Sequence, residues 1–187
     1  MSGVQDPRAA RTRERLRAAL FEACAEQPLS DVSVADVVHR AHVGRATFYL
    51  HYQGLEDLAV DACADIVREA VDALHAWRGI PDPESPPPAL EEFFTGLDQH
   101  HTVYTALLTP GGGGPLGMVL HRDLRERSRA ERELAGAPEA ELVAAAVAGT
   151  FTGVLADWLH GLVPGTATEV AARVWRLLIA LHRTRLS

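Results

Sequence analysis

The stretch SVADVVHRAHVGRATFYLHY, residues 33–52, decides the reading of the whole chain. Ser33 is a good N-cap residue with Asp36 three positions on, and Val34, Val37 and Val38 recur at helical spacing, so a short helix opens there. A turn over residues 41–44 leads into a second short helix from Arg45 to about Tyr52. Val34, Val37, Val38, Val43 and Phe48 are the apolar groups that would fix the angle between the two helices. The second helix then projects Arg45, Thr47, Tyr49 and His51, all hydrogen-bonding side chains. Arginine forks onto guanine in a major groove, and Thr, Tyr and His reach phosphates or base edges. Spacing alone leaves two readings open: a DNA-binding helix-turn-helix, or an ordinary helical hairpin with a polar outer helix.

Around this stretch the periodicity stays helical, with no convincing strand alternation. A helix over residues 12–26 precedes it, with Leu16, Ala19, Leu20 and Ala23 on one face and Pro28 ending it. A long helix over residues 55–77 follows, with Leu58, Ala62, Ile66 and Ala70 spaced for burial. The proline-rich run GIPDPESPPP, residues 79–88, breaks the pattern and must be a connection. Helices are expected again over residues 90–108, 118–134, 138–162 and 168–183, the last opening at a Thr168 cap. The expectation is an all-α protein of about nine helices, with the proline-rich run as its clearest boundary.

At 187 residues the chain is long enough to bury a core without staples. A hydrophobic share of 47% and a charged share of 23% argue against wholesale disorder. Residues 142–155, the best membrane candidate, are interrupted by Gly149, Thr150, Thr152 and Gly153 and meet Asp157, so no membrane partner is expected. The first residues lack the apolar stretch of a secretory signal, and Cys24 and Cys63 read as two reduced core thiols, which together point to the cytoplasm. All 18 basic residues are arginine. Residues 1–52 carry a net charge of +1 and the rest −8, a weak pointer to an anionic partner at the N-terminus.

The run Val34-Ala35-Asp36-Val37-Val38, then Ala41 through Tyr52, resembles the DNA-binding signature of the tetracycline-repressor (TetR) family of bacterial regulators. The Arg-rich helix before it and Gly-Leu-Glu-Asp-Leu at 54–58 fit the same pattern, and Gly149 to Leu159 resembles the penultimate helix of many members. The resemblance implies an all-helical homodimer, with a helix-turn-helix DNA-binding domain over 1–53 joined by a long helix to a ligand-binding and dimerisation body over 54–187. Such a dimer binds palindromic operator DNA as a repressor and is released by a small effector; the apolar and aromatic candidates for its pocket make a mainly hydrophobic effector the expectation. The resemblance places Arg45, Ala46 and Thr47 at the start of the recognition helix near bases or backbone, and Tyr49 and His51 at phosphate-contacting and groove-facing positions. Ser33, Gly44 and Tyr52 complete the expected DNA-binding set. Three departures stand out: His42 where the turn usually has glycine, Gly44 for the commoner Ser or Thr cap, and Leu55 for a phosphate-binding lysine.

For the effector, Phe94, His101, Tyr104, Met118, His121, Phe151 and Trp158 are the expected lining, although core packing explains most aromatics equally well. The expected dimer surface is the small-residue row Ala145, Gly149 and Gly153 with Val174, Trp175, Leu178 and Leu181. Asp98, His100, His101 and His121 have no i, i+4 histidine pair, so no metal and no cofactor is expected. The glycine run at 111–114 follows a helix and lacks a Gly-Lys-Ser/Thr ending, which leaves a flexible loop beside the pocket. No nucleophile motif or catalytic spacing is present, so an enzyme is not expected. The remaining alternative is a ligand-independent DNA binder or scaffold of the same fold.

Overall fold

The structure is a computed structural model that describes residues 7–76 and 82–183, with the side chains of 74–76 and 182–183 excluded. Among the described residues there are nine α-helices and no strand: α1 (Pro7–Glu26), α2 (Val34–Arg40), α3 (Arg45–Tyr49), α4 (Leu55–Ala76), α5 (Pro88–Gln99), α6 (His101–Leu107), α7 (Gly114–Leu134), α8 (Ala140–Leu159) and α9 (Ala167–Arg183). Short 3-10 turns lie at Leu29–Asp31 and Pro110–Gly112. Residue 77 of the long helix and residues 79–81 of the proline-rich connection lie outside the described residues. The chain forms two compact units, a head ending at Cys63 and a body beginning at Ala64.

The head closes on Leu16, Ala19, Leu20 and Ala23 of α1, Val37 of α2, Phe48 of α3, and Leu58, Ala59, Ala62 and Cys63 of α4, all buried. Val34, Val38 and Val43 are only half-buried, so Val37 and Phe48 carry the helix-turn-helix core. On α4 the buried line runs Ala59, Cys63, Val67 and Val71 at i, i+4 spacing, with Ile66 and Ala70 half-buried beside it.

In the body, α8 is the central helix, with ten buried residues, and it packs against α7 and α9. By length and composition it could cross a membrane, but 56% of its apolar window is buried inside the protein. The expected helix over 90–108 is two helices. His100, at φ −112° and ψ 25°, breaks the run, and α6 restarts at His101. The start of α8 also differs: Glu139 adopts a left-handed conformation at φ 53°, so Pro138 stays outside the helix. The cap of α9 is Thr166 rather than Thr168, since the Glu169 N–H donates to the Thr166 hydroxyl at 3.3 Å and the Thr166 N–H donates to the Glu169 carboxylate at 2.8 Å.

The glycine run is not a loose loop. The Thr109 N–H donates to the Gly113 carbonyl at 3.0 Å, and the Gly111 N–H donates to Asp157 Oδ1 on α8 at 2.7 Å. Gly112, at φ +84°, lies so close to α8 that a Cβ there would sit 2.9 Å from the Gly153 nitrogen. His101 and His160 close the same end of the body, their Nε2 atoms lying 2.6 Å from the Leu159 carbonyl and 2.8 Å from the Leu108 carbonyl.

Gly112→Ala therefore combines a left-handed backbone with a collision and should cost at least about 2 kcal/mol, whereas Gly136→Ala should cost only about 1 kcal/mol. Gly136 is also left-handed, at φ +61°, but has open space around it. Urea unfolding of the two variants measures the difference. Equal costs would show that the glycine run is not seated on α8.

Candidate nucleic-acid interface

The helix-turn-helix is built from local chemistry. The Asp36 N–H donates to the Ser33 hydroxyl at 3.2 Å, and the Ser33 N–H donates to Asp36 Oδ2 at 3.1 Å, a complete capping box. The Ser33 hydroxyl and N–H hold the Asp36 carboxyl below the usual carboxylate range. Arg40 ends α2 in a two-pronged ion pair with Glu26 of α1, with Nη1 donating to Oε1 at 2.9 Å. His42 takes φ +50° in the turn, the left-handed conformation glycine adopts without penalty. Arg15 braces that turn by donating to the His42 carbonyl at 3.2 Å. Gly44 caps α3 with no side-chain bond.

At only five residues, α3 cannot hold itself in place, and its orientation is imported from its neighbours. Phe48 is fully buried. Beyond the helix end, the Tyr52 hydroxyl donates to Asp61 Oδ2 at 2.7 Å. The same oxygen accepts from Arg17 Nε at 3.1 Å and Nη2 at 2.8 Å. One carboxylate on α4 thus ties α1 and the end of α3 together. Burial first, and then the hydrogen bond to Asp61, push the Tyr52 hydroxyl well above the usual tyrosine range, while Arg17 acts in the opposite direction.

Of the eight residues expected to touch DNA, Gly44, Arg45, Ala46 and Tyr49 are exposed, and Thr47 and His51 are half-buried on the same short segment. The Arg45 guanidinium lies 5.8 Å from the centre of the Tyr49 ring. Ser33 is exposed, but its side chain is engaged in the cap. Tyr52 is a correction: at 5% exposure with its hydroxyl on Asp61, it faces inward and positions the helix. Sequence reasoning passed over Arg17 and Asp61, whose 44-residue separation leaves no local signal. It also passed over Leu50, which is 81% exposed.

The expected effector lining is divided between the core and the surface. Phe94, Phe151 and Trp158 are buried ring to ring, with centroids 6.4 Å apart for Phe94–Phe151 and 5.4 Å for Phe94–Trp158, while Tyr104 is fully buried. Met118 is 70% exposed, His121 is half-buried, and His101 is engaged with the Leu159 carbonyl. None of the seven lines the open groove of about 440 Å³ between α4 and α7. Its apolar floor is Val67, Val71, Leu120 and Leu124, and the pairs Arg68–Asp123 and Arg127–Asp72 cross it. Of the expected dimer residues, Val174 is fully buried within its own body, and Gly153 serves the close approach of Gly112. Gly149 is exposed with open space around it, and Ala145, Trp175, Leu178 and Leu181 are half-buried.

Asp61→Ala leaves the Tyr52 hydroxyl and the Arg17 guanidinium partly buried without their shared acceptor, and should destabilise the head by about 2–3 kcal/mol. Tyr52→Phe should cost about 1 kcal/mol. Because the hydroxyl is raised in the fold, its contribution is complete below the unfolded value of about 10 and is lost as pH rises above it. Denaturation followed from pH 8 to 11 should show this loss in the wild type and not in Tyr52→Phe. An identical alkaline profile in both proteins would contradict the role of Asp61.

Residues 16–62, most of the head, match the family model described as bacterial regulatory proteins, tetR family. An HTH-type transcriptional regulator of Bacillus subtilis, YxbF, is 36% identical over 67 residues, which span 33% of this chain and 18% of that protein's length. Among solved structures, a TetR-family regulator from Syntrophomonas wolfei superposes with a TM-score of 0.63 at 15% identity, covering 94% of this chain and 96% of its own. A transcriptional regulator from Rhodococcus sp. Rha1 gives a TM-score of 0.55 at 25% identity over 90% of this chain and 94% of its own. The low identities of the full-length superpositions speak to the fold, and the matched segment falls on the helix-turn-helix with its capping box, left-handed turn and exposed α3. The head of this chain is therefore similar to that of bacterial regulatory proteins of the tetR family, and the whole chain shares the fold of solved TetR-family regulators.

Proposed function

We propose that this chain is a transcriptional repressor that binds an inverted-repeat operator as a homodimer and leaves it when a small effector binds the body. The observation that carries the DNA-binding reading is the outer surface of α3. Arg45, Ala46 and Tyr49 are exposed there, with Thr47 and His51 beside them, on a helix whose inner side is locked by Phe48 and Tyr52. A rigid element with hydrogen-bonding groups on its free side is what major-groove reading requires. The proposed contacts are Arg45 with a guanine edge, Tyr49 and His51 with phosphates, and Thr47 with a base or phosphate, the α3 backbone at Gly44 and Ala46 approaching closely.

The dimer surface proposed is the exposed side of α8 and α9, where Leu142, Gly149 and Leu177 lie open beside half-buried Ala145, Leu178 and Leu181. A two-fold dimer of this kind would set its recognition helices about 34–36 Å apart, one turn of DNA. For the effector, the groove between α4 and α7 is the preformed space that supports the reading, since its volume falls in the range of small-ligand sites. A mainly hydrophobic molecule on Val67, Val71, Leu120 and Leu124 would bear directly on α4. It would release DNA by as much as it prefers the non-binding arrangement, typically 1–3 kcal/mol. The tight packing of Phe94, Phe151 and Trp158 favours the other reading, a regulator that binds DNA without any effector. Release of operator by a small molecule separates the two.

Arg45→Ala should weaken operator binding by about 1–3 kcal/mol and relax specificity at one base pair. Tyr49→Phe should weaken all sequences alike, by up to about 1 kcal/mol. Fluorescence anisotropy on selected and random DNA checks both, and unchanged affinities with intact circular dichroism would refute the assignment. For the dimer, sedimentation at micromolar concentration should give two chains for the wild type and one for Gly149→Arg, whose new side chain has open space within its own subunit. A wild-type monomer would contradict the dimer.

A further inference from the structure

Leu50 makes the outermost line of the recognition helix apolar, and that constrains which base it reads. Successive residues of a helix turn by about 100°. Measured from buried Phe48, Ala46 and Leu50 therefore lie about 160° away on either side, within about 20° of the direction opposite the core. The same turn puts Arg45 and Tyr49 on one flank and Thr47 and His51 on the other. Leu50 keeps helical backbone angles, φ −75° and ψ −19°, so the arithmetic extends to it. Exposure agrees: Leu50 is 81% and Tyr49 49% exposed, and Ala46 is exposed. Among the described residues of the head, Tyr49 and Leu50 are the large hydrophobic residues left open, and both are on this one surface. The centre of the reading surface is thus a ridge of two aliphatic side chains, i and i+4, between two hydrogen-bonding flanks.

Of the four bases, thymine alone places an apolar group in the major groove, its 5-methyl. We infer that Leu50, with Ala46 beside it, is a specificity-determining residue that selects thymine at the centre of each operator half-site by packing on that methyl. The inference rests on the DNA-binding reading of α3 and adds to it the identity of a base. Arg45, on the flank, then reads a guanine next to that thymine, so that the half-site couples a G·C pair to an A·T pair.

The test uses the full chain and a duplex obtained by selecting bound DNA from a random pool. Each thymine of one half-site is replaced in turn by deoxyuridine, which removes the methyl and leaves every hydrogen-bonding edge in place. For the wild type, one or two central positions should lose about fourfold in affinity, the effect of uncovering one methyl-sized group. Leu50→Ala should bind the parent duplex more weakly by at least a similar factor and show no further loss at those positions. Its circular dichroism and melting temperature should match the wild type, because the side chain touches little of its own protein. Equal deoxyuridine penalties in wild type and Leu50→Ala, or no penalty at any thymine, overturn this inference while leaving DNA binding standing. A chain that prefers no DNA sequence at all overturns the DNA-binding reading, and this inference with it.

Discussion

A single carboxylate oxygen, Asp61 Oδ2, holds the head in its working shape. It accepts from Arg17 on α1 and from Tyr52 just past α3, and it is itself carried on α4. The Arg17 and Asp61 side chains are 24% and 29% exposed, so the pair is neither a solvated surface contact nor a fully buried charge. In that setting the hydroxyl of Tyr52 matters twice: it satisfies part of a desolvated carboxylate, and it pins the end of a helix too short to persist alone. Phe48 supplies the packing and Asp61 the direction. Everything exposed on the far side of α3 inherits its position from these two anchors.

The parts of this arrangement that depend on near neighbours in the chain could be read from the sequence. The Ser33–Asp36 capping box, the valine spacing of α2 and the place of His42 where glycine is usual are all local, and the structure puts His42 at φ +50° accordingly. Tyr52 stands four residues after Phe48, so the same helical turn puts it on the inward side, and only its acceptor, nine residues on and on a different helix, leaves no local signal. Leu50 is a different case. The 100° turn that places Phe48 inside also places Leu50 outside, so its exposure follows from spacing, and it is its apolar side chain that sets it apart from the hydrogen-bonding residues on the same segment.

In the body, the same limits apply to aromatics and glycines. Phe94 on α5 and Phe151 and Trp158 on α8 are compatible with a pocket or a core, and the rings turn out to be packed against one another. The glycine run, expected to be flexible, is a close-fitting turn whose missing side chains let it approach Gly153 and Thr152. An open groove lies between α4 and α7, where valines and leucines rather than aromatics form the floor. The ion pairs across it are part-exposed and hold the two helices only weakly, since such pairs contribute about 0–1 kcal/mol each.

The central claim is that the outer side of α3 reads DNA sequence, and a salt series of the binding equilibrium tests it most directly. Affinity for a selected inverted-repeat duplex and for random DNA of equal length is measured from low to physiological ionic strength. Both affinities should fall linearly on a logarithmic scale, as counterions are released from the phosphates, while the selected duplex stays at least about 1,000-fold tighter. Equal affinity for the two duplexes at every salt concentration would contradict the claim.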